Sequence, residues 1–195
     1  MIFQGDTVQP ISQFVDGADR QTVENARLLW ELSSFWGAPN LGNICGFFHV
    51  PHDWRCPCCY RTKAEISRLD KNRNLFCPIV RHHDHLEDDI RGALSKLERG
   101  AREAYASSLI RFPPILICND CNVIDSAAKK EVNAPAYFSF APHEIAAFIS
   151  PKINCAHRPE DINNEILQTI VCCVQPIVEI LRNRLRDTAN NGDSE

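Results

Sequence analysis

Three of the chain's seven histidines fall within four consecutive positions, His82-His83-Asp84-His85. Imidazoles and a carboxylate at that density can act on a phosphodiester. One neutral imidazole activates water, and neighbouring groups hold a cation against the scissile phosphate and the leaving oxygen. An unshifted imidazole, with a pKa of about 6.5, is already a neutral base at pH 7. The missing oxygen or nitrogen ligand has a candidate in Asn122, directly after Cys118-Asn-Asp-Cys121. Two other uses compete: a solvated loop, or ligands to a zinc ion, including a hydrolytic zinc held by the histidines themselves.

The cysteines bear on that choice. Cys56-x-x-Cys59 and Cys118-x-x-Cys121 flank the histidine cluster, and two such pairs supply the four thiolates of a tetrahedral zinc with Zn–S bonds of about 2.3 Å. Four sulfurs leave no open coordination position, so this zinc is structural, and it would fix Asn122 relative to the histidine strand. Cys58 is a spare thiol able to replace Cys56 or Cys59. Cys45, Cys77 and Cys155 read as core residues, and Cys172 and Cys173 as packing groups of an apolar helix. Cys155-x-His157 is too short a motif to define a second site.

These groups need elements to position them. The segment 21–36 has apolar residues at Val23, Ala26, Leu28, Leu29, Leu32 and Phe35, a helical period, with Asp19 or Thr22 as its cap. LFCPIV (75–80) reads as a short strand leading into the histidines, with Pro78 marking an edge or bulge. Residues 88–112 read as one helix ended by Pro113 and Pro114, ILIC (115–118) as a strand, and 122–132 as a helix. A strongly apolar helix with Pro176 inside it precedes a polar tail, TANNGDSE.

Composition sets outer limits. The 195 residues are 44% hydrophobic and 24% charged, ordinary for a globular domain. No run of 18 apolar residues and no basic-then-apolar N-terminus is found, so neither a membrane span nor a secretory signal is expected. A cytoplasmic setting follows, where ten cysteines are not a disulfide framework. The net charge of −4 argues against a protein that coats nucleic acid by itself. Arg55, Arg61, Lys63, Arg68, Lys71, Arg73 and Arg81 nevertheless crowd the first cysteine pair, predicting a locally basic face.

WRCPCC, then HHDH, then ICNDCN-x-x-D resembles the HNH or ββα-metal nucleases with a four-cysteine zinc, and within them the phage recombination endonuclease VII group. The resemblance covers roughly 54–132. It implies His82 as metal ligand, His83 as general base, Asn122 as metal ligand, Asp125 as a further acidic group and His85 near the scissile phosphate. Asp84 as ligand with His85 as base is the alternative register. His82 stands where the family has a carboxylate, which favours Mn²⁺ over Mg²⁺. The middle Asn of that motif has no counterpart in SSLIRFPPILIC, and the segment 86–121 is long for the family's hairpin connection.

The expected architecture is α+β: an N-terminal helical extension (1–50), a zinc-stapled HNH-like core (51–150) with an inserted helix (88–112), and a C-terminal helical segment with its tail (151–195). The expected activity is a metal-dependent DNA endonuclease, RNA remaining open, with structural Zn²⁺ and a catalytic Mg²⁺ or Mn²⁺. Phage, restriction and anti-phage defence settings all fit, in a bacterial or phage-infected cell. Specificity would come from a homodimer through the C-terminal helix (162–186) or from a protein partner. The rival is a zinc-stabilised, catalytically degenerate interaction module of a larger complex.

Overall fold

The computed structural model describes residues 18–95 and 98–191. Among these residues, seven α-helices and two small antiparallel sheets surround one main core.

Helix α1 (Arg20–Trp36) starts where Asp19 Oδ1 accepts the Thr22 N–H at 2.9 Å and stops at Gly37, whose φ of +58° suits a residue without Cβ. Only part of its apolar stripe is used. Leu29 and Leu32 are buried, whereas Val23 and Phe35 are exposed. The aromatic run beyond it forms a short 3₁₀ turn, Phe47–His49, with Phe47 fully buried. Gly46 permits this, because a Cβ there would lie 2.1 Å from the Ile79 carbonyl oxygen.

Helix α2 (Lys63–Ile66) opens with a reciprocal cap between Thr62 and Glu65. The hairpin β1 (Arg68–Leu69) and β2 (Leu75–Phe76) follows. Pro78 splits the expected single strand, and β3 (Ile79–His82) begins beyond it. Residues 88–112 likewise divide, into α3 (Leu86–Ala93) and α4 (Arg99–Leu109). The break lets Leu86, Ile90 and Leu94 face Ala106 in a second, smaller core.

Strand β4 (Ile115–Cys118) pairs antiparallel with β3, setting Ile79 against Cys118 and His82 against Ile115. The chain enters α5 (Asn119–Glu131) without a loop. Strand, strand and helix thus form one unit, with α3 and α4 inserted at its hairpin end. Helix α6 (Pro142–Phe148) and the 28-residue α7 (Asn164–Asn191) complete the fold, and α7 continues through Pro176 and through the first part of the expected tail. Leu167, Val171 and Val178 of α7 join the main core, and Leu185 closes the smaller one.

Candidate metal centre and histidine site

The first cysteine knuckle is a tight turn. Cys56 N–H donates to Arg61 O at 2.9 Å, Tyr60 N–H donates to Cys56 O at 2.8 Å, and Tyr60 takes a φ of +59°. In the second knuckle Cys118 ends β4 and Cys121 lies in the first turn of α5. The four buried sulfurs of Cys56, Cys59, Cys118 and Cys121 all lie within 4.8 Å of one another. Two of the separations are 3.9 Å (Cys56–Cys121) and 3.7 Å (Cys59–Cys118). A tetrahedron with Zn–S bonds of about 2.3 Å has an edge of about 3.8 Å, so the sulfur set fits a metal such as zinc. Cys118 N–H also donates to Cys56 Sγ at 3.3 Å. Cys58, though buried, stands outside this set.

A buried guanidinium completes the centre. Arg61 donates to Cys59 Sγ at 3.3 Å, Cys118 Sγ at 3.6 Å and Asp120 Oδ2 at 2.9 Å, and to the carbonyls of Lys152 and Cys155. Burial opposes its charge, but the sulfurs of Cys59 and Cys118 and the Asp120 carboxylate outweigh that and raise its pKa. Asp120 also receives Arg68, at 2.7 and 3.0 Å. His157 Nε2 lies 2.9 Å from the Arg61 guanidinium. A divalent ion bound by four thiolates carries net negative charge, which this cation offsets.

The basic face expected around the first knuckle is therefore reduced. Arg61 and Lys63 are buried and Arg68 is paired with Asp120. Cys77 is buried, and desolvation pushes its thiol up to about 12. Cys45, Cys155, Cys172 and Cys173 are exposed, not the core or packing groups that apolar surroundings in sequence suggested.

The histidine cluster sits where β3 ends and α3 begins. His82 is buried, stacked on Phe112 with ring centroids 5.2 Å apart, and its Nε2 lies 2.8 Å from the Phe140 carbonyl oxygen. That acceptor assigns the ring proton to Nε2. Asp125 is also buried: it accepts the Phe140 N–H at 2.9 Å and pairs with Lys129 at 2.7 Å. Asp84 accepts Leu86 N–H at 3.1 Å and Arg111 N–H at 2.8 Å, clipping both ends of the inserted helices to the hairpin. Desolvation raises its pKa despite these bonds.

His83 and His85 remain part-exposed, with ring centroids 5.1 Å apart. His83 Nε2 is 3.0 Å from Asp88 Oδ2, and His85 Nδ1 is 3.2 Å from the Ala136 carbonyl oxygen. They open onto different hollows. His83 shares 490 Å³ with Arg81, Glu87, Asp88 and Arg91, while His85 shares 750 Å³ with Ser126, Lys129, Lys130 and Asn133. Asn122 is part-exposed on α5, one turn before Ser126.

The structure thus gathers the four cysteines, places His83 beside His85, and sets His82 and Asp125 on either side of Phe140. Among the described residues, only the cysteine set brings three or more Cys, His, Asp or Glu donors within reach of one ion. The stretch 136–140 went unnoticed in the sequence, yet it receives His82, His85, Asp125 and Arg111, the last donating to Ser139 O at 2.9 Å. Its paired aromatics, Phe138 and Phe140, were the available signal. Comparison with protein-family models, curated proteins and solved structures gives no match.

Proposed function

We propose that this chain is a metal-dependent DNA endonuclease built on an HNH-like strand–strand–helix unit, with zinc in the four-cysteine centre as its structural staple. The supporting observation is the convergence at the end of β3. His82 and the α5 carboxylate Asp125 face each other across one residue, and two open imidazoles, His83 and His85, stand next to them. His83 is the general base that takes a proton from water, and Asp88 at 3.0 Å orients its ring. His85, beside Lys129 and Lys130, contacts the phosphate.

His82, Asn122 and Asp125 are the groups that would hold a catalytic cation, whose chemistry is to offset charge on the phosphate and the leaving oxygen. With Phe140 bonded to two of them, they do not form an open ligand set in this conformation. The same observation favours a second reading, a zinc-stabilised module that binds nucleic acid or protein without cutting.

The deciding experiment is plasmid cleavage with Mg²⁺, Mn²⁺ or EDTA, comparing the wild type with His83→Ala and His85→Ala at equal zinc content. Nicking that needs added cation and falls in His83→Ala by about a hundredfold or more, the span of general-base catalysis, supports the nuclease and its base. Loss confined to His85→Ala moves the base by two residues. No cleavage of supercoiled, single-stranded or branched DNA, or of RNA, selects the binding module. Two zinc ions per chain would instead point to a hydrolytic zinc on the histidines.

A further inference from the structure

The hollow beside His85 differs in charge from the one beside His83. In the His83 hollow Arg81 and Arg91 stand with Glu87 and Asp88, so cations and acids balance. Among the described residues, no acid lines the His85 hollow. Lys129, Lys130, Ser126 and Asn133 supply its polar side chains together with His85 itself, and its remaining wall is apolar, Ala134-Pro135-Ala136. The chain reaches that position by turning back at the end of α5, where Asn133 takes a φ of +50°. Asn133 N–H donates to Lys130 O at 3.3 Å, and Ala134 N–H to Lys129 O at 2.9 Å. These bonds occupy helix-end carbonyls that would otherwise oppose an anion.

We propose that this hollow seats one nucleoside unit of an unpaired nucleic acid strand, its phosphodiester against Lys130 and its base against the Ala134–Ala136 wall. Volume and charge support it. At 750 Å³ the hollow lies within the span of small-ligand sites, about 300–1,000 Å³. The Lys129 ammonium is already paired with Asp125 at 2.7 Å, whereas Lys130 is exposed and has no ion-pair partner among the described residues. One uncompensated cation matches the single charge of a phosphodiester, not the more highly charged terminal phosphate of a free nucleotide.

The apolar wall separates unpaired strand from duplex. It is of use only to a base that has left its stack, because in a duplex the base faces are covered by their neighbours. The proposal rests on nucleic acid as the partner, not on cleavage.

Fluorescence anisotropy of the full chain without added divalent cation tests this. The probes are a labelled oligothymidylate, its duplex with oligoadenylate, and a strand with abasic linkers at every position. The oligothymidylate should bind more tightly than the duplex. It should also exceed the abasic strand by about fivefold, the lower end of a base contact. Lys130→Gln should weaken binding and reduce the slope of log affinity against log salt by about 0.7. Lys71→Gln, at an exposed lysine between β1 and β2, should leave that slope unchanged. A slope unmoved by Lys130→Gln, or moved equally by both variants, overturns the site. Equal affinity for the abasic strand overturns the base seat. Displacement by thymidine monophosphate at the strand's own affinity overturns the strand and assigns the hollow to a free nucleotide. Duplex bound as tightly as the single strand overturns the unpaired form, while plasmid cleavage judges the endonuclease reading separately.

Discussion

His82 and Asp125 grip opposite sides of one peptide residue: the imidazole Nε2 lies 2.8 Å from the Phe140 carbonyl oxygen, and the carboxylate accepts the Phe140 N–H at 2.9 Å. Both side chains are buried, so each bond replaces water lost on folding. Asp125→Ala should strand a buried N–H and the Lys129 ammonium. The expected cost is about 1–3 kcal/mol in urea unfolding. Asp125→Asn keeps an acceptor for Phe140 and should cost less. If Asp125→Ala instead keeps full stability and abolishes cleavage, the carboxylate serves chemistry and not the fold.

The four-cysteine centre predicts a contrast between neighbouring thiols. Cys121→Ser should lose bound zinc and cooperative unfolding together, because a structural site of this kind carries folding free energy. Cys58→Ser, in the first knuckle but outside the sulfur set, should keep one zinc per chain. Atomic emission on the purified variants, with circular dichroism before and after chelation, checks both. Retained zinc in Cys121→Ser would show that Cys58 can enter the ligand set.

The reach of local patterns explains what the sequence revealed. Cys-x-x-Cys is a local geometric statement, so both knuckles were legible, as were β4 and the α5 helix entered directly from it. Asp84, His82 and Asp125 were legible as chemical groups but not in their present use. Their partners Arg111 and Phe140 lie 27, 58 and 15 residues away, with only backbone atoms offered. Lys63 was counted among surface cations for the same reason. Its acceptors come from Asn25, Phe47 and Val50. The helix expected over 88–112 split because a single rod could not bring Leu94 back to Ala106.

Arg61 predicts an effect on metal affinity separable from charge alone. Its guanidinium reaches two sulfurs, Asp120 and two carbonyls at once, a fork that an ammonium cannot reproduce. Arg61→Lys should weaken zinc binding about 10–100-fold, the usual effect of losing an outer-shell partner, in competition with a chromogenic chelator. Affinity equal to wild type would mean that the positive charge alone suffices.

Lys63 supplies a pH signature. Its ammonium is buried among the Asn25 side chain and the carbonyls of Phe47 and Val50, over the Phe47 ring at 4.3 Å, and desolvation lowers its pKa to about 8. The unfolded chain holds this proton up to about 10.4, so between those values it binds more protons than the folded state, and stability rises with pH. The cost of burying the charge is present in full below the folded pKa and is gone above the unfolded one. Lys63→Met removes this term and leaves three acceptors unpaired, so it should be less stable throughout. The wild-type advantage should be smallest at pH 7 and widen from about pH 8 to pH 10.5, which urea titrations of both proteins across that range measure directly. A gap that stays constant would mean that hydrogen bonds to the buried ammonium fully offset its desolvation.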